Sequence, residues 1–187
     1  MDKTERKIFI SFAIILGVVL LFVFSYVVYF SAKYPLKYSD SILLYADEYD
    51  IKPELVASVI CAESRFDKDA VSKKGAIGLM QIKPSTAVFM AEDISENFDY
   101  NTLFESQVNI KIGCMYLDYL FDKFENEEVA LASFNAGEGV VKRWLEDPRY
   151  SDDKKTLKFI PYKETREYVQ KVQKAKGIYK SKLKSWQ

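Results

Sequence analysis

Residues 53–64 read PELVASVICAES, and this stretch has the pattern of an amphipathic helix. Val56, Val59 and Ile60 recur at helical spacing and mark the stripe that we expect to be buried. Glu63 follows them by seven, four and three residues, so it lies on the same stripe. Apolar neighbours raise the pKa of a carboxyl by desolvation, and a carboxyl protonated near neutral pH suits a general acid. The alternative is a half-exposed glutamate that pairs with a lysine near a helix end.

The segment that follows this helix contains GAIGLMQIKP at residues 75–84. Gly75 and Gly78 permit a tight backbone path or the close approach of a ligand. Gln81 stands in an otherwise apolar string, and its amide needs a hydrogen-bond partner if it is buried. The N-acetyl group of a sugar is one such partner.

Helical spacing recurs along the rest of the chain, whereas alternating β patterns are scarce. Ser39 or Asp40 is a suitable cap for a first helix, and Pro53 suits the first turn of the helix quoted above. We expect further helices after Pro84, over residues 105–124, 127–134 and 139–146, and from Tyr162 onward. The predicted fold class is therefore mainly α.

Residues 8–30 carry no charge. As a helix they would extend ~35 Å, which is enough to cross a ~30 Å hydrocarbon core. We predict a transmembrane anchor over residues 8–32. A cleaved signal peptide is the competing interpretation. Its apolar region is typically ~7–15 residues long, which is shorter than the segment here. Cleavage after Ala32 would also place Phe30 at position −3, where a small residue is required.

The charges beside this segment predict its orientation. Residues 1–7 contain Lys3, Arg6 and Lys7. Basic residues favour retention of a short tail in the cytoplasm. The predicted location is the cell membrane, crossed once, with residues 33–187 forming one domain on the extracytoplasmic, cell-wall side.

The composition excludes several kinds of catalytic site. The 187 residues include no histidine and two cysteines, which excludes Ser-His-Asp and Cys-His triads and His-ligated zinc. We expect no metal and no cofactor, with chemistry carried by carboxylates, hydroxyls, amides or lysine. Cys61 and Cys114 are expected either as two buried free thiols or, outside the membrane, as a disulfide.

Charge is segregated along the chain although its total is neutral. Residues 154–187 contain eleven Lys and Arg against two Glu, whereas residues 38–153 contain eleven basic against 23 acidic residues. A basic end on an acidic body indicates an anionic surface or polymer as a neighbour, or simply a solvated helix face. Nucleic acid is not an expected partner outside the cytoplasm.

Three motifs occur in the order and approximate spacing of one known family. They are Glu63-Ser64 with residues 75–84 and Thr86, then ASFNAG at residues 132–137, then PYKETREYV at residues 161–169. With these motifs the chain resembles the lytic transglycosylases of the soluble (SLT) family, here with a membrane anchor. The resemblance implies a mainly α, lysozyme-like fold with a long saccharide cleft.

By this resemblance, Glu63 is the single catalytic acid and base of a peptidoglycan lytic transglycosylase. It protonates the β-1,4 link from N-acetylmuramic acid to N-acetylglucosamine. It then takes the proton of the muramic C6 hydroxyl, which attacks C1 of the same sugar and leaves a 1,6-anhydromuramic end. The expected partners are peptidoglycan glycan strands and the membrane, and any partner in the cell-envelope machinery is unidentified.

The resemblance also implies a set of substrate-binding residues. They are Ser72, Gln81, Phe134, Asn135, Gly137, Tyr162, Glu164 and Tyr168. Both tyrosines suit core packing equally well, and Glu164 is expected to position Glu63 or to bind substrate. Phe134 departs from the family, which usually has tyrosine there, and loss of one neutral phenol contact would weaken activity by roughly 0.5–1.5 kcal/mol. Lys83 stands where the family often has an apolar residue, which admits a salt bridge or a contact with the anionic glycan.

Two other functions remain open at this point. A muramidase on the same fold would hydrolyse the same bond with water, and Asp67 or Asp69 beside a water in the cleft would favour it. These two residues are more typical of a solvated turn. A non-catalytic scaffold would hold glycan without changing it, although such a protein has no need of an acid on an apolar stripe.

Overall fold

The computed structural model describes residues 2–90 and 99–184. In these residues the chain is mainly helical, with no β-strand and two isolated β-bridges, Val71–Ile77 and Ile77–Ile82. The elements in chain order are α1 (Lys3–Lys33), α2 (Ser39–Glu48), α3 (Pro53–Glu63), α4 (Pro84–Met90), a 3₁₀ helix (Tyr100–Phe104), α5 (Ser106–Phe124), α6 (Glu127–Ala136), α7 (Glu138–Glu146) and α8 (Lys163–Lys184). The predicted mainly α class is confirmed.

The chain divides into two compact units, residues 1–35 and residues 36–187. The first consists of α1, which is 31 residues long and contains the predicted anchor. Its apolar side chains are exposed, as Phe22 is at 73%. By length and composition, α1 is sufficient to cross a membrane.

In the second unit, α3 is a central helix. Val56, Val59 and Ile60 are fully buried, as their spacing predicts. The main contacts of α3 are with α8, and it also packs against α2. Helix α6 contacts α5, α7 and α8, so that α3 and α6 both lie against the long C-terminal helix.

The helix boundaries agree with the predicted ones to within two residues, the largest difference being the end of α6 at Ala136 and not at residue 134. Pro53 stands in the first turn of α3, where a missing N–H breaks no helical hydrogen bond. The capping residue of α2 is Tyr38, in the left-handed conformation with a φ of 58°. The prediction of Ser39 or Asp40 as the cap was wrong, because the chain already enters the helix at Ser39, which is buried.

The loop between α3 and α4 follows a path set by positive φ angles and by buried hydrogen bonds. Arg65 and Phe66, with φ angles of 55° and 66°, turn the chain away from the end of α3. The Ser64 hydroxyl donates to the Leu79 carbonyl at 2.7 Å. Gly78, with a φ of 76°, lies so close to α5 that a Cβ would overlap the Asn109 side chain. The loop therefore packs directly on α5.

Asn109 fastens this loop to α5. Its side chain is fully buried, and its Oδ1 accepts the Met80 N–H at 2.8 Å. Its Nδ2 donates to the carbonyls of Ile77 at 2.9 Å and Leu103 at 2.8 Å. Because every polar atom of the amide is bonded, Asn109 stabilises one conformation of the loop.

Candidate active site

A cavity of about 430 Å³ lies beside the carboxyl end of α3. Its walls come from α3, the loop that enters α4, α5, the turn between α6 and α7, and the start of α8. The lining residues are Glu63, Ser72, Lys73, Lys74, Ala76, Gln81, Ile82, Lys83, Thr86, Tyr116, Phe134, Asn135, Ala136, Gly137, Tyr162, Glu164 and Thr165.

Glu63 is the acidic residue at the end of the buried stripe of α3. Burial raises the pKa of Glu63 to about 7; the Tyr168 hydroxyl lowers this pKa, and the Glu164 carboxylate raises it. Since an ordinary glutamate has a pKa of about 4.3, Glu63 can keep its proton at a pH where other carboxyls are ionised. Such a group can donate a proton to a ligand in the cavity and take one back.

Tyr168 of α8 approaches Glu63 from within the core. It is 5% exposed, and it is not among the residues that line the cavity. Burial and the charge of Glu63 raise the pKa of Tyr168 well above its usual range. Its hydroxyl has no hydrogen-bond partner of standard geometry in the described residues, so it acts on Glu63 as a nearby dipole and not through a fully formed hydrogen bond.

Gln81 holds the loop as well as lining the cavity. Its Nε2 donates to the carbonyls of Ala70 at 3.1 Å and Gly78 at 3.0 Å. Both amide hydrogens are thereby used, and only the side-chain oxygen is left to accept a hydrogen bond from a ligand. The backbone of Gln81 is left-handed, with a φ of 50°.

The turn at Asn135–Gly137 forms another wall. Gly137 has a φ of 93°, a conformation that side chains rarely permit, and it ends α6 and begins α7. Phe134, just before the turn, is half-buried and packs against Tyr116 of α5 with ring centroids 5.3 Å apart. The two rings therefore line the cavity side by side.

Glu138 follows this turn and is held by α5. Its carboxylate accepts from the Tyr119 hydroxyl at 2.9 Å and pairs with Lys123 at 2.7 Å and Lys142 at 2.9 Å. Burial alone would raise the pKa of Glu138, but the hydrogen bonds from both lysines and from Tyr119 lower it to about 2. The network fixes the first turn of α7 against α5.

The start of α8 presents an exposed aromatic ring. Tyr162 is 56% exposed, and its ring meets Trp144 of α7 edge to face, with centroids 4.9 Å apart. Trp144 is buried, so it fixes the position of the tyrosine ring. An exposed, supported ring of this kind can stack on the apolar face of a sugar.

Comparisons with known proteins are consistent with this architecture. Residues 40–164 match the family described as Transglycosylase SLT domain. The chain belongs to this family. The recognition made from the three motifs is therefore confirmed.

Relatives of this SLT protein have named activities. It is 36% identical over 145 residues to the soluble lytic murein transglycosylase of Salmonella typhimurium. The aligned region covers 75% of this chain and 22% of the Salmonella protein. It is 29% identical over 166 residues to membrane-bound lytic murein transglycosylase C of Haemophilus ducreyi. The aligned region covers 76% of this chain and 45% of the Haemophilus protein. The SLT chain thus spans about a quarter to a half of the length of these relatives.

Solved structures agree with the fold. An inactive mutant of lytic transglycosylase Slt from Pseudomonas aeruginosa superposes with a TM-score of 0.71 at 31% identity, covering 81% of this chain and 25% of that one. The 70-kDa soluble lytic transglycosylase of Escherichia coli gives a TM-score of 0.69 at 30% identity, covering 79% and 25%. The lysozyme-like SLT fold expected from the sequence is confirmed.

The structure brings most of the predicted site residues together. Eight of the nine line the cavity: Glu63, Ser72, Gln81, Phe134, Asn135, Gly137, Tyr162 and Glu164. The ninth, Tyr168, is buried behind this lining and acts on Glu63. Asp67 and Asp69, the candidates for a second carboxylate, are exposed and do not line the cavity.

Sequence reasoning missed four features of the site and its surroundings. Asn109 could have been found by the argument used for Glu63, because it also places a polar side chain on the buried stripe of its helix. The pair of Glu138 with Lys142 follows the i,i+4 spacing of one helix. Tyr116 and the pairing of Glu138 with Lys123 and Tyr119 had no local signal, since those contacts join different helices. Lys73 and Lys74 were also not singled out, although both line the cavity.

The cysteines and possible metal ligands lie apart from this chemistry. Cys61 and Cys114 are not joined by a disulfide bond; Cys114 is buried and Cys61 is partly buried. Burial raises the pKa of Cys114 to about 12. Over residues 2–90 and 99–184, no group of three or more Cys, Asp and Glu is arranged to hold a metal ion.

Proposed function

We propose that this protein is a membrane-anchored peptidoglycan lytic transglycosylase. It cleaves the β-1,4 bond between N-acetylmuramic acid and N-acetylglucosamine without water and leaves 1,6-anhydromuramic ends. The observation that carries the proposal is Glu63, a carboxyl with a pKa of about 7 that lines an open cavity in an SLT domain. Relatives named as lytic murein transglycosylases supply the substrate class.

Two proton transfers by Glu63 account for the reaction. The protonated carboxyl gives its proton to the glycosidic oxygen as the C1–O bond breaks, so N-acetylglucosamine leaves with a free hydroxyl. The C6 hydroxyl of the muramic acid then forms a bond to C1 and returns its proton to Glu63. A pKa near the working pH suits both steps, because the carboxyl must release and recover a proton in each cycle.

A single carboxylate is sufficient because the nucleophile belongs to the substrate. Hydrolytic glycosidases need a second carboxylate as nucleophile or base, at roughly 5–10 Å from the first. A tethered hydroxyl replaces it and reacts at a high effective concentration. The exposed positions of Asp67 and Asp69, away from the cavity, agree with this interpretation.

The remaining lining residues bind and orient the glycan. Tyr162 offers a stacking surface, and Ser72 and the Gln81 oxygen offer polar contacts. Asn135 and Gly137 leave room for the strand at the turn. Phe134 lacks the hydroxyl that the family usually has, and Tyr116 provides a phenol beside it. Tyr168 and Glu164 adjust the pKa of Glu63 from opposite directions.

Membrane anchoring follows from α1 and from the relatives named as membrane-bound. We place residues 1–7 in the cytoplasm, residues 8–32 in the membrane and residues 33–187 on the wall side, because Lys3, Arg6 and Lys7 precede the apolar segment. An anchor of this kind limits the enzyme to glycan strands near the membrane.

The mass of the released products tests the reaction. The full chain in detergent micelles is incubated with purified peptidoglycan in heavy-oxygen water, and the soluble muropeptides are analysed by mass spectrometry. We expect products lighter by one water molecule than hydrolytic muropeptides, without incorporation of the heavy oxygen. The Glu63→Gln variant, which keeps the shape of the side chain, is the matched control and should release none.

Other outcomes would overturn the proposal. Reducing ends labelled with heavy oxygen would show that water is the nucleophile, and Glu164 would become the candidate second carboxylate. Equal release by the parent and by Glu63→Gln would remove Glu63 from the mechanism. Binding of peptidoglycan without any soluble product from the parent protein would indicate a glycan-binding scaffold.

A further inference from the structure

Three lysines that form no ion pair with a described residue line the cavity. Lys73, Lys74 and Lys83 are exposed, and within residues 2–90 and 99–184 none of them lies within ion-pair distance of an acidic side chain. Their ammonium groups are therefore available to a ligand in the cavity.

The fold of the loop explains why these lysines meet. The Ser72 N–H donates to the Ala76 carbonyl at 2.9 Å, which closes a tight turn around Lys73, Lys74 and Gly75. Ile77 and Ile82 then exchange backbone hydrogen bonds at 3.0 Å in both directions, which returns the chain to the same wall just before Lys83. Because Asn109 fastens this loop to α5, the lysine backbones occupy fixed positions.

Lys73, Lys74 and Lys83 differ from the other lysines near the site, which are in ion pairs. Other lysines near the site are paired: Lys123 and Lys142 with Glu138, and Lys68 with Asp69. The carboxyls that line the cavity are Glu63, whose pKa is about 7, and Glu164. The loop wall thus carries positive charge in a segment, residues 38–153, that is acidic as a whole.

We propose that Lys73, Lys74 and Lys83 bind carboxylates on the muramic acid units, so that the enzyme selects anionic glycan strands. The inference rests on the proposed function and defines its substrate more closely. Muramic acid carries a lactyl group whose carboxyl is either free or linked to a peptide with carboxylates of its own. A polymer of N-acetylglucosamine has the same links and N-acetyl groups but no carboxylate.

A charge-matched pair of variants tests the inference in the full chain in nonionic detergent. The cleft variant is K73Q/K74Q/K83Q. The control variant is K171Q/K174Q/K180Q on α8, which removes the same charge from exposed lysines that are outside the cavity and are in no ion pair with a described residue. Parent and variants are assayed on peptide-bearing strands at low and high salt.

We expect the cleft variant to raise KM about tenfold at low salt with little change in kcat, since exposed ion pairs are individually weak and add together in a cluster. The control variant should keep the KM of the parent. The difference between the two variants should disappear near 1 M salt, where the screening length is about 3 Å. Equal KM values for the two variants at low salt would overturn the inference.

Uncharged oligomers and peptide-free strands identify what the lysines recognise. Oligomers of N-acetylglucosamine should bind the parent and the cleft variant equally, and an equal loss on these oligomers would show that the lysines contact sugar hydroxyls instead. If the effect persists on peptide-free strands, the lactyl carboxylate is the ligand. If the effect of the cleft variant is confined to peptide-bearing strands, the carboxylates of the peptide are the ligand.

A binding assay separates this inference from the proposed reaction. In the Glu63→Gln background, cosedimentation with insoluble peptidoglycan measures affinity without turnover. A loss of binding in the cleft variant alone supports the role of the lysines even if the parent releases no anhydro product. Unchanged binding in both variants refutes that role even if the parent is an active transglycosylase.

Discussion

Glu63 lines the cavity and Glu138 directly follows the Asn135–Gly137 wall of it, yet the environments of these two glutamates drive their pKa values apart. Glu63 ends a stripe of buried aliphatic side chains, and burial raises its pKa to about 7. Glu138 is also partly buried, but two lysines and a tyrosine hydroxyl bind its carboxylate and lower its pKa to about 2. Burial disfavours the charge in both residues, and the presence of cationic donors decides the outcome.

The comparison separates a residue suited to chemistry from one suited to structure. A carboxyl that can exist in both protonation states near neutral pH can transfer protons. A carboxylate that is always ionised can hold helices together, as Glu138 does between α5 and α7. The variants below test how far this division extends.

Replacing Glu63 should have the largest effect. We expect Glu63→Gln to lower turnover about a thousandfold, in the range of general acid–base catalysis. The same variant should be more stable than the parent above pH 7. The unfolded chain releases this proton near pH 4.5 and the folded chain near pH 7, so the parent loses stability as pH rises through this window, by about 3 kcal/mol.

Unfolding of parent and Glu63→Gln from pH 4 to pH 9 measures this difference. The two free energies of unfolding should converge below about pH 4.5 and differ by a constant amount above about pH 7. A difference that does not vary with pH would mean that Glu63 has an ordinary pKa in the folded protein.

Replacing Glu138 should destabilise the fold and leave the chemistry largely intact. We expect Glu138→Gln to lower the free energy of unfolding by about 1–2 kcal/mol at pH 7, after allowance for the partial exposure of the network. The lowered pKa makes this stabilisation complete above pH 4.5 and causes its loss as pH falls toward 2. Thermal unfolding over that range measures it.

The control for this variant is Glu146→Gln, at the exposed far end of α7. It removes the same charge from the same helix and should leave the stability within about 0.5 kcal/mol of the parent. If the two variants lose equal stability, the network around Glu138 contributes nothing specific.

Replacing Tyr168 should change the pH profile more than the stability. Its hydroxyl lowers the pKa of Glu63, so Tyr168→Phe should move the pH–rate profile upward by roughly half a pH unit to one unit. The hydroxyl is buried without a partner of standard geometry in the described residues, so its removal should not lower the melting temperature. An unmoved profile would show that the hydroxyl does not act on Glu63.

Replacing Glu164 should have the smallest effect, in the opposite direction. The charge of Glu164 raises the pKa of Glu63, so Glu164→Gln should move the profile downward by a few tenths of a pH unit. Because Glu164 is exposed, the shift should shrink with added salt. Glu167→Gln, which removes a charge outside the cavity, should leave the profile in place.

The sequence predicted those parts of the molecule that depend on short-range spacing. The burial of α3, its proline start and the position of Glu63 on the stripe all follow from residues within one helix. The residues that line the cavity came instead from the resemblance of the three motifs to a known family, and eight of the nine residues that it implied line the cavity. The structure gives the positions of these residues in the cavity, whereas the role of each one in binding or catalysis remains a prediction.

Features that depend on contacts between distant segments could not be predicted. Glu138 receives Tyr119 and Lys123 from α5, nineteen and fifteen residues earlier, and no local pattern indicates this pairing. The hydrogen bonds from the Gln81 amide to the loop also had no local signal, and the contact of Gln81 with substrate stays a prediction. The cap of α2 was missed for a different, local reason: Tyr38 adopts a left-handed conformation that its residue type rarely takes.

The bonds of Asn109 join segments that are far apart in the chain. Its partners Met80 and Ile77 precede it by 29 and 32 residues, so the native path of the loop requires α5 to be in place. Gln81 and Ser72, on this loop, and Tyr116, on α5, all line the cavity beside Glu63. Under the proposed function, the ability to cut glycan therefore belongs to the assembled domain and not to the segment around Glu63 alone.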